Sequence, residues 1–215
     1  MHSLAEIRAL FASVLSDCLD SVGLMDQALP TRIRPLDEAS VMVGRARTGQ
    51  FMEVDGHAAG NPYELEIALI DSLNQGDIPV FACSNPARIA PWGELLSTAA
   101  QARGAAGALM DGAVRDIKAI RAMNFPVFHG GIGPLDTKGR GRVMAIDVPV
   151  RCAGVKVVSG DLVFGDADGV VVVPQAVEHD VLALAFEKIK GEKRTLDDLR
   201  AGQKLGDVFA KYGIL

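Results

Sequence analysis

Two short motifs near the middle of the chain contain the residue types that could do chemistry. Positions 93–96 read Gly-Glu-Leu-Leu and open a predicted helix, and positions 111–116 read Asp-Gly-Ala-Val-Arg-Asp after a predicted strand. Free backbone N–H groups at a helix start bind anions, and an arginine offers a planar fork to a carboxylate or an oxo group. The two motifs together favour a pocket for a metal-bound 2-oxo acid.

Asp116 is the predicted metal ligand, because proteins usually hold Mg²⁺ through one or two carboxylates and several waters. Glu94, at the neighbouring helix start, could hold the waters of that metal. A metal ion and an arginine together withdraw electrons from a 2-oxo acid, so that a carbon–carbon bond breaks and leaves an enolate. Retro-aldol cleavage and β-decarboxylation both pass through this enolate. A metal-bound water is the expected proton carrier, since the sequence places no histidine there.

The substrate is expected to bind to the arginine and to the helix start. Arg115 would contact its carboxylate or its 2-oxo oxygen, and the N–H groups of Leu95 and Leu96 would receive its carboxylate. Because Arg115 and Asp116 are consecutive, they can share a pocket only at an irregular junction of the backbone. Gly112 is expected to help supply the freedom for that junction.

The elements around the motifs alternate between strand and helix, which predicts a parallel sheet with crossover helices. Ligands of such sheets bind outside the carboxyl ends of the strands, where both motifs lie. The predicted elements are strands at 77–83, 107–111 and 125–128 and helices from Gly93 to about Arg103 and from about Asp116 to Met123.

Outside this part, the pattern predicts helices at both ends and a β-rich layer in the second half, with no repeat or composition break that marks a second domain. Residues 1–190 are therefore predicted to form a single α/β domain, and residues 191–215 a charged, partly helical C-terminal tail. The predicted elements are helices over Leu4 to Leu19, from Asn61-Pro62 and over Gln175 to Lys190, one or two strands over Val41 to Val54, and short strands between Val143 and Val173.

The composition excludes several classes of protein. With 215 residues, 49% hydrophobic and 23% charged, the chain can bury a sizeable core. A net charge of −5 argues against a nucleic-acid partner, which would require clustered Lys and Arg. Three cysteines at unrelated spacings, no apolar run long enough for a bilayer and charges among the first residues predict a soluble cytoplasmic protein without a membrane partner.

At four motifs the chain resembles the 4-hydroxy-4-methyl-2-oxoglutarate aldolases and their relatives, the regulator of ribonuclease activity A-like proteins. The likeness covers roughly residues 5–190 and rests on the order and spacing of positions 93–96, 111–116, 125–128 and 165–174. It implies a swivelling β/β/α fold, an aldolase-like domain over residues 1–190, and a homotrimer or homohexamer with active sites at subunit interfaces.

The resemblance also implies roles for individual residues. A divalent metal, Mg²⁺ or Mn²⁺, would sit on Asp116, with substrate contacts from Arg115 and backbone binding along Gly93, Glu94, Leu95 and Leu96. The ribonuclease-regulator branch typically lacks the metal-binding aspartate, so the presence of Asp116 favours the lyase branch. Some of the aldolases have an aspartate where this chain has the longer Glu94, which leaves open how the waters of the metal are held.

The family also takes an acidic residue from the C-terminal region of a neighbouring subunit. Glu187 and Glu192 are the candidates, with Glu192 favoured, and the tail is expected to pack on that neighbour. Other residue types with possible chemistry have simpler interpretations. His57 and His129 are expected to be ordinary loop histidines, and nothing around Lys118 indicates the desolvation that a Schiff-base lysine needs.

The sequence therefore predicts a divalent-metal-dependent lyase, an aldolase or decarboxylase, that cleaves a small 2-oxo acid to pyruvate. An example of the substrate is 4-hydroxy-4-methyl-2-oxoglutarate or oxaloacetate. The alternative is a non-catalytic protein-binding regulator, which the resemblance to the ribonuclease regulators allows. On spacing alone, an isolated Arg-Asp pair is more often a surface ion pair or a helix start than a site. A methyltransferase is least favoured, since no glycine-rich cofactor loop follows the first strand.

Overall fold

The computed structural model describes residues 2–56, 60–84 and 89–214, and within them the chain forms seven helices and twelve strands. The helices are α1 (Leu4–Ile7), α2 (Ala12–Ser21), α3 (Glu64–Asp71), α4 (Glu94–Ala102), α5 (Ile117–Ala122), α6 (Glu178–Arg200) and α7 (Leu205–Tyr212). The strands are β1 (Arg34–Pro35), β2 (Met42–Glu53), β3 (Asp77–Cys83), β4 (Ala108–Met110), β5 (Ala113–Val114), β6 (Val127–His129), β7 (Gly131–Ile132), β8 (Gly141–Ile146), β9 (Val150–Cys152), β10 (Val155–Val157), β11 (Leu162–Asp166) and β12 (Gly169–Val173).

The main sheet is mixed and nearly closed. Its order is β1-β6-β4-β3-β2-β11-β12, and β8 also pairs with β2. Strands β2, β3, β4 and β6 run parallel, whereas β8, β11 and β12 add antiparallel neighbours. The two edges approach each other where the Leu29 amide donates to the Val170 carbonyl oxygen at 2.8 Å. The predicted α/β class, with a parallel βαβαβ part and a β-rich second half, is confirmed.

The core lies on both faces of this sheet, because its central strands are apolar on both sides. All seven residues of β3 are buried, as expected for a strand inside a parallel sheet. On one face, the rings of Phe51, Phe81 and Trp92 pack together under α3, α4 and α5, with Phe81 edge-on to Phe51 at 5.2 Å. Burial of each such ring contributes on the order of 2–3 kcal/mol. This face of the sheet supports the two motifs.

The predicted helix over Leu4 to Leu19 is wrong in one respect, because the structure has two helices with a break between them. A capping box of Ser3 and Glu6 starts α1, which ends after only four residues. The second helix begins where the Ala12 amide donates to Asp166 Oδ2 at 2.9 Å. This cap comes from a residue 154 positions away, so apolar periodicity could not reveal it.

The C-terminal helices are longer than predicted. The helix expected to end at Lys190 continues unbroken as α6 to Arg200, so position 190 lies inside a helix. Helix α7 is tied to α6 because Lys211 Nζ and Tyr212 Oη both donate to Asp198 Oδ2, at 2.8 and 2.9 Å. Among the described residues, no helix is both long and apolar enough to cross a membrane.

Asp111 is the first residue of the second motif and directly follows β4, and its side chain connects three segments of the chain. Its buried carboxylate accepts the Cys83 amide at 2.7 Å and the Ala153 amide at 2.8 Å. Burial raises the pKa of Asp111, and the two amide hydrogen bonds act in the opposite direction. The side chain therefore fixes the end of β4 to the end of β3 and to the β9–β10 hairpin.

We predict that Asp111→Ala lowers the free energy of unfolding by about 2–4 kcal/mol, because it leaves two backbone N–H groups without an acceptor in a buried place. Urea unfolding followed by circular dichroism measures this loss. The control is Asp71→Ala, which removes only an exposed 3.4 Å ion pair with Arg103 and is expected to cost less than about 0.5 kcal/mol. Equal losses in the two variants would contradict the proposed role of Asp111.

Candidate active site

Backbone pairing brings the two predicted motifs side by side. Trp92 forms a parallel bridge with Val114 of β5, and the Arg115 amide donates to the Trp92 carbonyl oxygen at 3.0 Å. Just beyond this pairing, Gly93 is the N-cap residue of α4 and Asp116 is the N-cap residue of α5. Two helix starts therefore lie next to each other at the carboxyl ends of β3 and β4.

The irregular junction predicted between Arg115 and Asp116 is present, and it lies at Asp116 itself. Asp116 has left-handed backbone angles, φ 56° and ψ 30°, which cost a non-glycine residue on the order of 1 kcal/mol. The expectation that Gly112 supplies the freedom is wrong, because Gly112 has no positive φ. Gly112 is instead required by space, since a Cβ there would lie 2.9 Å from Cys83 Sγ.

The Asp116 side chain does not cap α5 but points to the start of α4. Its Oδ2 accepts the Glu94 amide at 3.2 Å. Gly93 permits this approach, because a Cβ at that position would lie 2.6 Å from Asp116 Oδ2 and 3.1 Å from Arg115 Cγ. The first residue of the Gly-Glu-Leu-Leu motif thus makes room for the last two residues of the other motif.

The start of α4 has two amides without an acceptor in the part of the chain that the structure describes. Intrahelical bonding begins with the Ser97 amide, which donates to the Gly93 carbonyl oxygen at 3.1 Å. No described residue accepts a hydrogen bond from the Leu95 or Leu96 amide, as expected for the first turn of a helix. The Ser97 hydroxyl also accepts Trp92 Nε1 at 2.7 Å, which holds this turn against the core. The amides predicted to receive an anion are therefore available.

These residues line a cleft of about 450 Å³ between α3 and α4. Arg115 reaches into it, with Nη1 3.4 Å from Asp136 Oδ1 and Nε 3.7 Å from Asp116 Oδ2. The side chains of Arg115 and Asp116 are 37% and 44% exposed, so both are open to a ligand. The lining residues are Tyr63, Glu66, Ile67, Ala90, Pro91, Trp92, Gly93, Glu94, Leu95, Leu96, Arg115, Asp116, Asp136 and Thr137.

Asp136 is a cleft residue that the sequence did not indicate. Strand β7 pairs with β5, and the segment after it returns to the motif because the Ala90 amide donates to the Leu135 carbonyl oxygen at 2.9 Å. Burial raises the pKa of the Asp136 carboxyl, but hydrogen bonds from Tyr63 Oη and the Lys138 amide, together with Arg115, outweigh burial and lower this pKa below its ordinary value. Asp136 therefore fixes the guanidinium of Arg115 as a charged partner.

Glu66 is the second cleft residue missed by the sequence analysis. The residue is only 5% exposed, and its side chain forms no hydrogen bond or ion pair with any described residue. Burial raises the pKa of Glu66 to about 8, the charge of Asp136 adds to the rise, and Arg115 opposes it. A sequence signal existed: Glu66 precedes Leu69 and Ile70 by three and four positions, so it lies on the buried stripe of α3.

The donor set of the cleft fits a divalent metal held mainly by water. Among the described lining residues, four carboxyl groups face one guanidinium, that of Arg115. Asp116 Oδ1 has no partner among the described residues, whereas Oδ2 is engaged by the Glu94 amide. No group of three or more His, Cys, Asp or Glu residues in the described ranges could form a protein cage for a metal. One carboxylate oxygen with several waters is a common arrangement for Mg²⁺.

The remaining candidates lie elsewhere. Glu187 and Glu192 are on α6 and do not line the cleft of their own chain. Lys118 is exposed at the start of α5 and is not part of the cleft. His57 lies outside the described residues. The expectation that His129 is a loop histidine is wrong, because it ends β6 and is buried, and among the described residues its Nδ1 has no hydrogen-bond partner.

Comparisons with known proteins agree with this architecture. A family model described as RraA-like, Aldolase/RraA, matches residues 12–172. A Halalkalibacterium halodurans protein with the provisional name 4-hydroxy-4-methyl-2-oxoglutarate aldolase is 34% identical over 204 residues, covering 95% of this chain and 89% of that protein. An uncharacterised Pseudomonas syringae structure aligns with a TM-score of 0.84 and 30% identity over 95% of both chains. Streptomyces coelicolor RraAS2, described as an unusual member of the RNase ES inhibitor RraA family, aligns with a TM-score of 0.79 and 26% identity, covering 89% of this chain and 94% of that one.

The buried carboxyl group of Glu66 predicts a specific pH dependence of stability. The unfolded chain releases this proton near the ordinary pKa of 4.5, whereas the folded protein keeps it up to about pH 8. Folding therefore loses up to about 1.4 kcal/mol for each pH unit across this window through Glu66. Glu66→Gln removes the loss, so its stability relative to the wild type should increase from pH 5 to pH 8.

Urea unfolding of both proteins at several pH values measures this difference. Glu64→Gln is the matched control, since Glu64 is exposed on the same helix, and its stability relative to the wild type should not change with pH in this way. A constant difference between Glu66→Gln and the wild type across the window would show that Glu66 is ionised in the folded protein.

Proposed function

The chain belongs to the RraA-like family, described as Aldolase/RraA, and from this premise we propose that it is a divalent-metal-dependent lyase. Its reaction would cleave a carbon–carbon bond of a small 2-oxo acid, such as 4-hydroxy-4-methyl-2-oxoglutarate or oxaloacetate, and release pyruvate. The provisional aldolase name of the Halalkalibacterium relative supports an aldolase. The metal and the substrate class are part of the proposal.

The observation that carries the proposal is the pairing of Arg115 with Asp116 beside free helix amides. The guanidinium of Arg115, the carboxylate of Asp116 and the Leu95 and Leu96 amides all face one cleft, and Asp116 Oδ1 has no partner among the described residues. An anion binds well at the amides of a helix start, and a planar oxo or carboxylate group suits the guanidinium fork. A small acid with a carboxylate next to a keto group has both features.

In the proposed reaction, the residues of the cleft orient the substrate and stabilise charge. The amides of Leu95 and Leu96 hold its carboxylate, and Arg115 contacts the 2-oxo oxygen. When the bond between C3 and C4 breaks, its electron pair forms the C2–C3 double bond of an enolate, and negative charge develops on the 2-oxo oxygen. The C4 fragment leaves as CO₂ from oxaloacetate, or as a keto group from a 4-hydroxy acid, whose hydroxyl proton passes to water. Because Asp136 and Asp116 fix the guanidinium of Arg115, this positive charge is in position before the bond breaks.

Asp116 would hold the metal, with Glu94 beside it to accept hydrogen bonds from the metal's waters. A bound Mg²⁺ or Mn²⁺ supplies Lewis-acid polarisation of the 2-oxo group. The acid-rich lining supports this part of the proposal, since an anionic substrate would otherwise enter a cleft with more carboxyl groups than cations.

The proposal includes a homotrimer or homohexamer in which a neighbouring subunit covers the cleft and contributes an acidic residue, Glu192 or Glu187. Exposed apolar side chains at the mouth support this assembly, because Leu95 is 81% exposed and Ile67 is 45% exposed. Apolar surface of this kind is typical of contacts between proteins. The C-terminal tail, residues 191–215, which comprises the end of α6 and all of α7, would then pack on the neighbouring subunit.

We predict that Asp116→Ala and Arg115→Ala each lower kcat/KM for pyruvate release by about 100-fold or more. Arg115→Ala removes the positive charge beside the developing enolate, and Asp116→Ala removes the carboxylate that would hold the metal cation. Chelation should abolish activity, and added Mg²⁺ or Mn²⁺ should restore it. Both effects are measured by assaying a panel of 2-oxo acids and following the released pyruvate through NADH oxidation by lactate dehydrogenase.

Lys118→Ala is the control for this series, since Lys118 is exposed near the same junction and lies outside the cleft. It should retain full activity. Full turnover by Asp116→Ala, or by protein stripped of metal, would overturn the mechanism. Loss of activity in Lys118→Ala, with borohydride trapping of a substrate adduct, would indicate Schiff-base chemistry instead.

A second candidate function is a non-catalytic regulator that binds a partner protein, which the likeness to the Streptomyces RraA-family structure favours. The two functions differ in simple observations. A regulator would release no pyruvate from any acid in the panel, would purify without a divalent metal and would retain a partner in stoichiometric amount. Metal-dependent turnover that requires Asp116 supports the lyase.

A further inference from the structure

Glu66 has a position that neither the fold nor the proposed binding roles explain. It occupies the core-facing stripe of α3 together with Leu69 and Ile70, where an apolar side chain would continue the packing. Glu66 is nevertheless one of the residues that line the cleft. A buried carboxyl group without a partner destabilises a protein, so a structural role would be served better by Leu or Gln.

Four titratable or charged groups interact with Glu66, and they belong to Tyr63, Cys83, Arg115 and Asp136. Asp136 and Arg115 interact with it electrostatically, and Glu66 in turn acts on Tyr63 and on Cys83 at the end of β3. Tyr63 Oη already donates to Asp136, and Arg115 is directed to Asp136 and Asp116. Burial raises the pKa of the Cys83 thiol, which therefore stays protonated. Among the described residues, none of these groups accepts a hydrogen bond from the Glu66 carboxyl group.

A neutral carboxyl group in a cleft that generates a carbanion suits one chemical task. The enolate left by cleavage of a 2-oxo acid must receive a proton on C3 to become pyruvate. A carboxylic acid is a common donor for such a step when burial keeps it protonated at working pH. Burial and the charge of Asp136 raise the pKa of Glu66 to about 8, which meets this requirement.

We propose that Glu66 is the proton donor that converts the enolate to pyruvate in this cleft, a catalytic role that rests on the proposed lyase function. The step balances without another reactant. The electron pair of the enolate C2–C3 double bond forms the new C3–H bond with the proton of Glu66, and the 2-oxo group is restored. Glu66 is left as a carboxylate and regains a proton from water. In reverse, the Glu66 carboxylate removes a proton from the methyl group of pyruvate.

The reverse step gives a direct test. The 215-residue protein with Mg²⁺ and pyruvate in D₂O should exchange the pyruvate methyl protons for deuterium, a reaction followed by proton NMR. Glu66→Gln should slow this exchange by about 100-fold or more, since the amide keeps the size of the side chain but cannot carry the proton. Its KM for the cleaved 2-oxo acid should change less than about threefold, because Glu66 is not assigned to binding. Glu64→Gln, an identical substitution on the exposed face of α3, should retain wild-type exchange.

The pH profile separates a proton donor from a residue that only supports the fold. Release of pyruvate by the wild type should decline as the pH rises above about 8, where Glu66 loses its proton, and this limb should be absent from the residual activity of Glu66→Gln. If Glu66→Gln keeps more than half of the exchange rate, or keeps the alkaline limb, Glu66 is not the donor although the lyase function stands. If the wild type neither releases pyruvate nor exchanges its methyl protons, the proposed function fails and this role fails with it.

Discussion

The cleft depends on one pairing of backbone segments, that of Trp92 with Val114. It brings the connection that leads into α4 beside the connection that leads into α5, so that the two helices begin next to each other. The Glu94 amide then donates a hydrogen bond to the Asp116 carboxylate, which links the two helix starts. The left-handed backbone at Asp116 and the glycine at position 93 are local adjustments that this pairing requires. The parallel sheet places the carboxyl ends of β3 and β4 side by side, and the pairing of Trp92 with Val114 brings the residues of both motifs into one cleft.

The sequence predicted the elements whose signals are local and missed those whose causes are distant. Strand β3 was predicted with both of its ends, because a short apolar run between turn residues has few alternatives. The break between α1 and α2 was missed, since the cap from Asp166 comes from the opposite end of the domain. Asp136 was missed for the same reason, because its place in the cleft follows from the pairing of β5 with β7. Glu66 could have been found, as its spacing to Leu69 and Ile70 places an acid on a buried stripe.

The charges of the cleft set a limit on what it can bind. Of the described lining residues, Arg115 is the one with a positive charge, and Asp116 and Asp136 both lie within 4 Å of it. An anion that entered this environment alone would meet carboxylates on either side of the guanidinium. A divalent cation on Asp116 Oδ1 would make the charge around the guanidinium locally positive, since a metal ion is the largest charge in most sites that hold one. The acid-rich cleft and an anionic substrate are therefore compatible if a cation binds first.

Glu66 illustrates why a cleft of this type is costly to build. A carboxyl group on the core face of α3 lowers stability at neutral pH, because the unfolded chain releases its proton more readily than the folded protein does. The same burial keeps the group protonated beside a site where the charge of a carbanion is expected to develop. Asp136 serves both needs, since it fixes Arg115 by an ion pair and its charge opposes ionisation of Glu66. Two acids in one cleft thus have opposite protonation states, which is the arrangement that separates charge stabilisation from proton transfer.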